Sequence, residues 1–141
     1  MHQFYAPDIE TNPILPAEES HHAVKVLRLA AGDTIVVLDG KGKTFYATIS
    51  VADAKGCILN SLELKQESKG RDYRLHIAIA PTKNMDRLEW FVEKATEIGI
   101  DEISPIFCRF SERKVLKNER LEKILVSAMK QSIQPFLTKL N

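Results

Sequence analysis

The stretch from Leu75 to Ile106 limits what this chain can fold into more than any other part of it. An apolar run from Leu75 to Ala80 ends at Pro81, and an amphipathic segment follows from about Asn84 to Ile98. Gly99 then precedes a second short apolar run that reaches Pro105 and Ile106. Strand, turn, helix, glycine stop and strand make a βαβ unit, which predicts a largely parallel sheet. At about 100° per residue, Met85, Leu88, Phe91, Val92, Ala95 and Ile98 share one arc of the helix. Asp86, Glu89, Glu93 and Glu97 form an acidic stripe on the other side, beside a basic one of Lys83, Arg87 and Lys94. Those stripes read as solvated surface or as a face for a partner subunit. Gly99 stands where a left-handed residue closes a helix. Sites in open parallel sheets gather at the carboxyl ends of the strands. Here those ends hold Pro81-Thr82-Lys83 and Cys108 to Lys114, so Lys83 and Arg109 are expected to flank a substrate site, with Arg113 beside them.

Upstream the pattern is β-rich. Gln3 to Ala6, Thr34 to Leu38, Lys43 to Val51 and Cys57 to Leu64 read as strands. Asp-Gly-Lys-Gly at 39–42 and Asp-Ala-Lys-Gly at 53–56 read as hairpin turns between them. Pro16 opens a helix with acids in its first turn, Lys25 and Arg28 in its last, and Gly32-Asp33 as its stop. Short strands, tight turns and one helix predict a small barrel over residues 1–68. The polar run Lys65 to Asp72 reads as a linker, and an α/β segment occupies 69–141. A last helix is predicted from about Asn118 to Ser132, with Leu121, Ile124, Leu125 and Ala128 on one face.

The chain of 141 residues suits one domain or two small ones, and its net charge is only +1. The charge is unevenly spread: from Ile103 onward eight bases and three acids leave +5, against −4 for the rest. A basic region of that kind suits a polyanion, although Glu119 and Lys123 also make an ordinary i,i+4 pair. No apolar run approaches the roughly 20 residues of a membrane span, and the first residues lack the basic and apolar regions of a secretory signal. Cys57 and Cys108 are far apart and form no Cys-x-x-Cys pair, which suggests a reducing cytoplasm and buried thiols.

Several chemistries find no support. Gly40-Lys-Gly42 is a hairpin turn and not a nucleotide loop, because Phe45 follows and no helix does. His21 and His22 would point about 100° apart on a helix, a poor arrangement for one metal. No Ser/His/Asp or Cys/His arrangement stands out, so nucleophilic catalysis is not indicated.

The ordered pieces His21-His22-x-x-x-Val26-Leu27-Arg28-Leu29-x-x-Gly32-Asp33, Asp39-Gly40, Lys83, Glu93-Lys94-Ala-Thr-Glu97-x-Gly99, Pro105 and Ala128-x-x-Gln131-Ser132 resemble the bacterial 16S ribosomal RNA uracil-N3 methyltransferases. The resemblance covers essentially the whole chain. It implies an N-terminal PUA-like β-barrel that grips RNA, followed by a SPOUT α/β domain with a trefoil knot. It further implies S-adenosylmethionine as methyl donor, N3 of a uridine as acceptor, 16S RNA or the small ribosomal subunit as partner, and a homodimer. DNA and membranes are not expected partners. Lys25, Arg28, Lys41, Lys43 and Arg113 are the expected RNA contacts.

Two departures from the family pattern matter. His2 and Gln3 stand where members commonly carry arginine near the start. The family's Gly-Pro-Glu-Gly-Gly loop and Leu-Gly-x-Arg segment are absent, and the last glycine is Gly99. The expectation is therefore a C-terminally truncated enzyme with two strands and two helices in an incomplete SPOUT domain. Such a chain would be inactive alone, bind no S-adenosylmethionine, and contain no identifiable catalytic base. The competing expectations are a non-catalytic RNA-binding module and a small interaction protein that docks through its basic C-terminal helix.

Overall fold

A computed structural model describes residues 1–109 and 116–141. The chain divides into two compact units, Met1–Lys69 and Gly70–Asn141. In the first, strands β1 (Gln3–Tyr5), β2 (Thr34–Leu38), β3 (Lys43–Val51) and β4 (Ile58–Glu67) form one sheet in that order. β1 lies parallel to β2, and the other neighbours are antiparallel. The β2–β3 hairpin is tight because the Asp39 carboxylate accepts the N–H groups of Lys41 and Lys43, at 2.8 and 3.0 Å. Gly40 and Gly42 take φ of 72° and 114° there, where a Cβ would be strained. One face of the sheet packs Ile35, Val37, Phe45 and Ile49 with Phe4 and Leu15. Full burial of each such side chain contributes about 1.5–3 kcal/mol.

Three expectations for this unit need correction. The helix does not run to Gly32. Helix α1 (Ala17–His21) passes into a π-helical turn, His22–Val26, and stops. Leu27 and Leu29 both pack against the core, and residues two apart cannot share a helical face, so the chain turns left-handed between them at Arg28, φ 55°. The barrel is not closed: among the described residues the hydrogen-bonded order ends at β1 and β4. β1 has only three residues, and the outer edge of β4 is met at its start, where Leu59 N–H donates to Pro13 O and Leu15 N–H to Cys57 O. Finally, β4 takes Lys65–Glu67 out of the expected linker, pairing Gln66 with Thr44 and Glu67 with Lys43.

The second unit runs β5 (His76–Ile79), α2 (Met85–Ile98), β6 (Glu102–Pro105), α3 (Asn118–Ser132) and β7 (Lys139–Leu140). Its strands are all parallel, in the order β5–β6–β7, so the βαβ expectation holds. A third strand joins the two expected ones; at two residues it is too short to leave a periodic signal. The Asn84 side chain caps α2 by accepting Asp86 N–H at 2.9 Å, and Gly99 closes it with φ 96°. α3 has the predicted limits but closes on Ile133, a β-branched residue at φ 55°. Both helices pack with one face of the sheet, joining Leu88, Val92, Leu121 and Leu125 to Ile77 and Ile103. Strand alternation turns His76, Glu102 and Ser104 to the other face. The expectation of two buried thiols also fails: Cys57 is buried, but Cys108, beyond the end of β6, is exposed.

Candidate functional site

In the first unit the expected RNA contacts fall into two groups. Lys25 and Arg28 are exposed at the end of the helical segment. The start of that segment is anchored by Ser20, whose Oγ donates to Leu15 O at 3.0 Å and accepts Cys57 N–H at 2.9 Å, both buried. Leu29 N–H also donates to Ala23 O at 2.9 Å, closing the turn. Arg28 is thus held out between two core-facing leucines, in a conformation costly for a non-glycine residue. The His22 ring lies edge-on to Phe4, with ring centroids 6.4 Å apart, and both His21 and His22 are exposed.

Lys41 and Lys43 are engaged with the 7–10 turn. Lys41 Nζ donates to Pro7 O at 3.0 Å and lies 3.9 Å from Asp8. Lys43 Nζ lies 3.1 Å from Glu10, and that hydrogen bond holds its ammonium above the usual lysine range. Both remain solvent-accessible, but a phosphate would have to share them with carboxylates.

In the second unit β5 and β6 end side by side, with Ile106 N–H donating to Ile79 O at 2.9 Å. Lys83 follows β5 and Arg109 follows β6, so the two predicted flanking residues leave adjacent strand ends, both exposed. Thr82 Oγ1 donates to Asn84 O at 2.8 Å and orders the turn in which Lys83 sits. Arg113 lies outside the described residues. On α2 the mixed stripes resolve into ion pairs. Lys94 lies 3.4 Å from both Glu93 and Glu97, and Arg120 of α3 grips Glu89 with two nitrogens. A groove of about 380 Å³ between α2 and α3 is lined by Glu93, Arg120, Lys123, Ile124, Ser127 and Gln131.

One arrangement was not legible beforehand. His76 Nε2 lies 2.6 Å from Ser104 Oγ, and its Nδ1 lies 3.5 Å from Glu102. The order matches a nucleophile–base–acid chain, but Glu102 is shared with Arg74, Lys139 and Asn141, and Asn141 also donates to Ser104 at 2.6 Å. It is a network that knits the sheet face. These donors, Asn141 first, hold the Glu102 carboxyl below its usual range. The register signal was available only once His76 was known to face Glu102 and Ala78 to face Ser104.

Two family models match this chain in order: an RNA methyltransferase PUA domain over residues 15–60, and an RNA methyltransferase domain over 69–141. Ribosomal RNA small subunit methyltransferase E of Rickettsia conorii is 32% identical over 128 residues, 87% of this chain and 50% of its own length. The Bacillus subtilis protein of the same name is 30% identical over 127 residues, covering 84% and 48%. The chain belongs to the RNA methyltransferase family whose model matches residues 69–141. It spans about half the length of these curated relatives.

Solved members of similar shape agree. A probable rRNA-methyltransferase from Porphyromonas gingivalis superposes with a TM-score of 0.87 at 44% identity, over 100% of this chain and 59% of that one. A small-subunit methyltransferase E from Neisseria gonorrhoeae, solved bound to S-adenosyl methionine, shares the fold at a TM-score of 0.75 and 24% identity, over 100% and 60%. The family's PUA unit therefore carries Lys25, Arg28, Lys41 and Lys43, and its methyltransferase unit carries Lys83 and Arg109.

Proposed function

We propose that this chain serves S-adenosylmethionine-dependent methylation of uridine N3 in 16S ribosomal RNA, in the cytoplasm, on the free RNA or the small subunit. The observation that supports the reading best is the succession of an RNA methyltransferase PUA match and an RNA methyltransferase match along one chain. The relatives' names, all specifying small-subunit ribosomal RNA, support the substrate class.

The strand ends seen here do not by themselves fit S-adenosylmethionine. A nucleoside cofactor needs close backbone approach, which glycine permits. Residues 80–84 and 106–109 contain no glycine. Gly99 is engaged as a helix cap, and a Cβ there would meet Arg71 and Gln134 at 3.3 Å. RNA binding is therefore the work of these residues. Lys25 and Arg28 take backbone phosphates, and Lys41 and Lys43 add charge along the same unit. Lys83 and Arg109 flank the target nucleotide, where positive charge favours an imide nitrogen losing its proton. Positioning the base supplies the larger share of the acceleration.

The test is genetic and chemical. Small-subunit RNA from cells lacking this gene is digested to nucleosides and weighed by mass spectrometry. Loss of 3-methyluridine, restored by the gene, is expected; an unchanged 3-methyluridine content contradicts the reading. RNA binding with 3-methyluridine unchanged would instead favour a non-catalytic binding module.

A further inference from the structure

The loop from Ser68 to Leu75 holds an aromatic ring that neither core uses. Tyr73 is 61% exposed, yet its position is fixed. The Arg71 guanidinium lies over the ring, 5.3 Å from its centroid. One terminal nitrogen of that guanidinium donates to Gly99 O at 2.7 Å and to Asp101 Oδ2 at 2.6 Å. Leu75 N–H donates to the same carboxylate oxygen at 2.7 Å. Residues 71–75 therefore form an arch pinned at both ends to Asp101, with Tyr73 in its middle. Because Arg71 backs one face of the ring, its exposed area is the opposite face and the rim. Apart from Tyr73, Leu75 is the loop's one apolar side chain; the others are Ser68, Lys69, Arg71, Asp72 and Arg74, with Gly70. A protein contact needs a contiguous apolar patch, which such a loop does not supply. A single flat ring among three bases and one acid is instead the pattern of a stacking platform for an unpaired nucleobase.

We propose that Tyr73 stacks an unpaired base of bound RNA, with Arg71 as the positioning residue behind the ring. The proposal rests on the chain binding ribosomal RNA, and it adds a contact to a base where Lys25 and Arg28 contact phosphate. Every base has a π-face, so the stack carries little sequence preference and selects unpaired RNA over duplex. The ring's orientation is set before binding, which removes most of the ordering cost on the protein side. Asp101 and Glu102 hold Arg71 and Arg74 at 2.6 and 3.4 Å, so Arg71 serves the ring's placement more than the loop's charge. Arg74, the more exposed of the two, is the loop's cation for a phosphate beside the stacked base. The stack uses the ring face and not the hydroxyl, so phenylalanine can replace tyrosine.

The test is fluorescence anisotropy of the full chain with a labelled single-stranded oligouridylate and with an abasic strand of the same length. Folding of each variant is checked by circular dichroism. Tyr73→Ala weakens oligouridylate binding about tenfold, as the loss of one stacked base does, while Tyr73→Phe binds like the wild type. The salt slope of Tyr73→Ala stays that of the wild type, since no charge is removed. The abasic strand binds the wild type and Tyr73→Ala alike. Oligouridylate binding that ignores Tyr73→Ala overturns the proposal and leaves the RNA reading standing. So does a loss that Tyr73→Phe fails to avoid, or an equal loss on the abasic strand. Weaker self-association of Tyr73→Ala with unchanged RNA affinity would give the ring to a protein contact and overturn it too. A wild-type chain that binds no RNA at all overturns both the platform and the RNA reading.

Discussion

The two units solve the same problem in opposite ways. The first folds antiparallel hairpins and a short helix around one core, and Lys41 and Lys43 of one hairpin are tied to the 7–10 turn. The second lays two helices on one face of a parallel sheet and leaves the other face to polar side chains. Parallel sheets are normally covered on both faces. Here the polar face is held by Glu102 with its four partners, and its border by Asp101, which accepts Leu75 N–H at 2.7 Å and meets Arg71 at 2.6 Å. The contrast extends to titration. The carboxyls held below their usual range, Glu89, Asp101 and Glu102, all lie in the second unit. The first unit holds Tyr5, Lys43 and Cys57 above theirs, Tyr5 and Cys57 mainly through burial and Lys43 through Glu10.

The largest expected effect tests whether each core stands on its own. Ile103→Ala removes a fully buried side chain between sheet and helices and costs about 2–5 kcal/mol. Hydrogen exchange should then lose protection at β5 and β6 while β2 and β3 keep theirs; equal loss in both units would break the distinction. Next is Ser20→Ala in the first unit. It leaves Cys57 N–H and Leu15 O without their buried partner and lowers stability by about 1–3 kcal/mol, read from a urea midpoint.

The third effect concerns acid. Asp101 has a depressed folded pKa, chiefly from Leu75 N–H and then Arg71, so its contribution is present above the unfolded value near 3.8. That contribution disappears as pH falls through the lower folded value. Asp101→Asn should flatten the acid limb of the thermal midpoint against pH and leave the alkaline side alone. On the alkaline side Lys43 and Lys94 contribute, since their raised values mean that their bonds to Glu10 and to Glu97 and Glu93 are lost as pH rises. The smallest effect has the opposite sign. Ile133→Gly relieves a left-handed β-branched residue and should stabilise the second unit by about 0.5–1 kcal/mol after the glycine's extra unfolded freedom is subtracted. A lower thermal midpoint would mean that the half-exposed Ile133 side chain contributes more than its strain costs.

The second unit was the more legible in sequence because its elements are long and periodic. α2 showed its apolar arc and its Gly99 stop, and α3 kept its predicted limits. What escaped were features set by tertiary contact. Leu27 and Leu29 seek one core and so end the first helix early at Arg28, against a local pattern that favours continuation. The tail of β4 pairs because Lys43 and Thr44 stand opposite it, although Lys65 to Glu67 carry no apolar signal. β7 is two residues long, and the His76–Ser104–Glu102 network depends on a register that no single strand reveals. At the candidate site the residue types were legible, since cations at helix and strand ends are local features. Their neighbours were not: nothing near Lys41 or Lys43 announced that Pro7, Asp8 and Glu10 would fold back onto them.

The account rests on the first unit gripping RNA through the helix end that holds Lys25 and Arg28. Binding of a 16S RNA fragment measured against salt tests this directly. Three or four phosphate contacts predict log K falling with log salt at a slope of about −2 to −3, and Arg28→Ala should weaken binding and make that slope shallower by about 0.7. Binding that ignores salt, or an Arg28→Ala chain with unchanged affinity and slope, would contradict it.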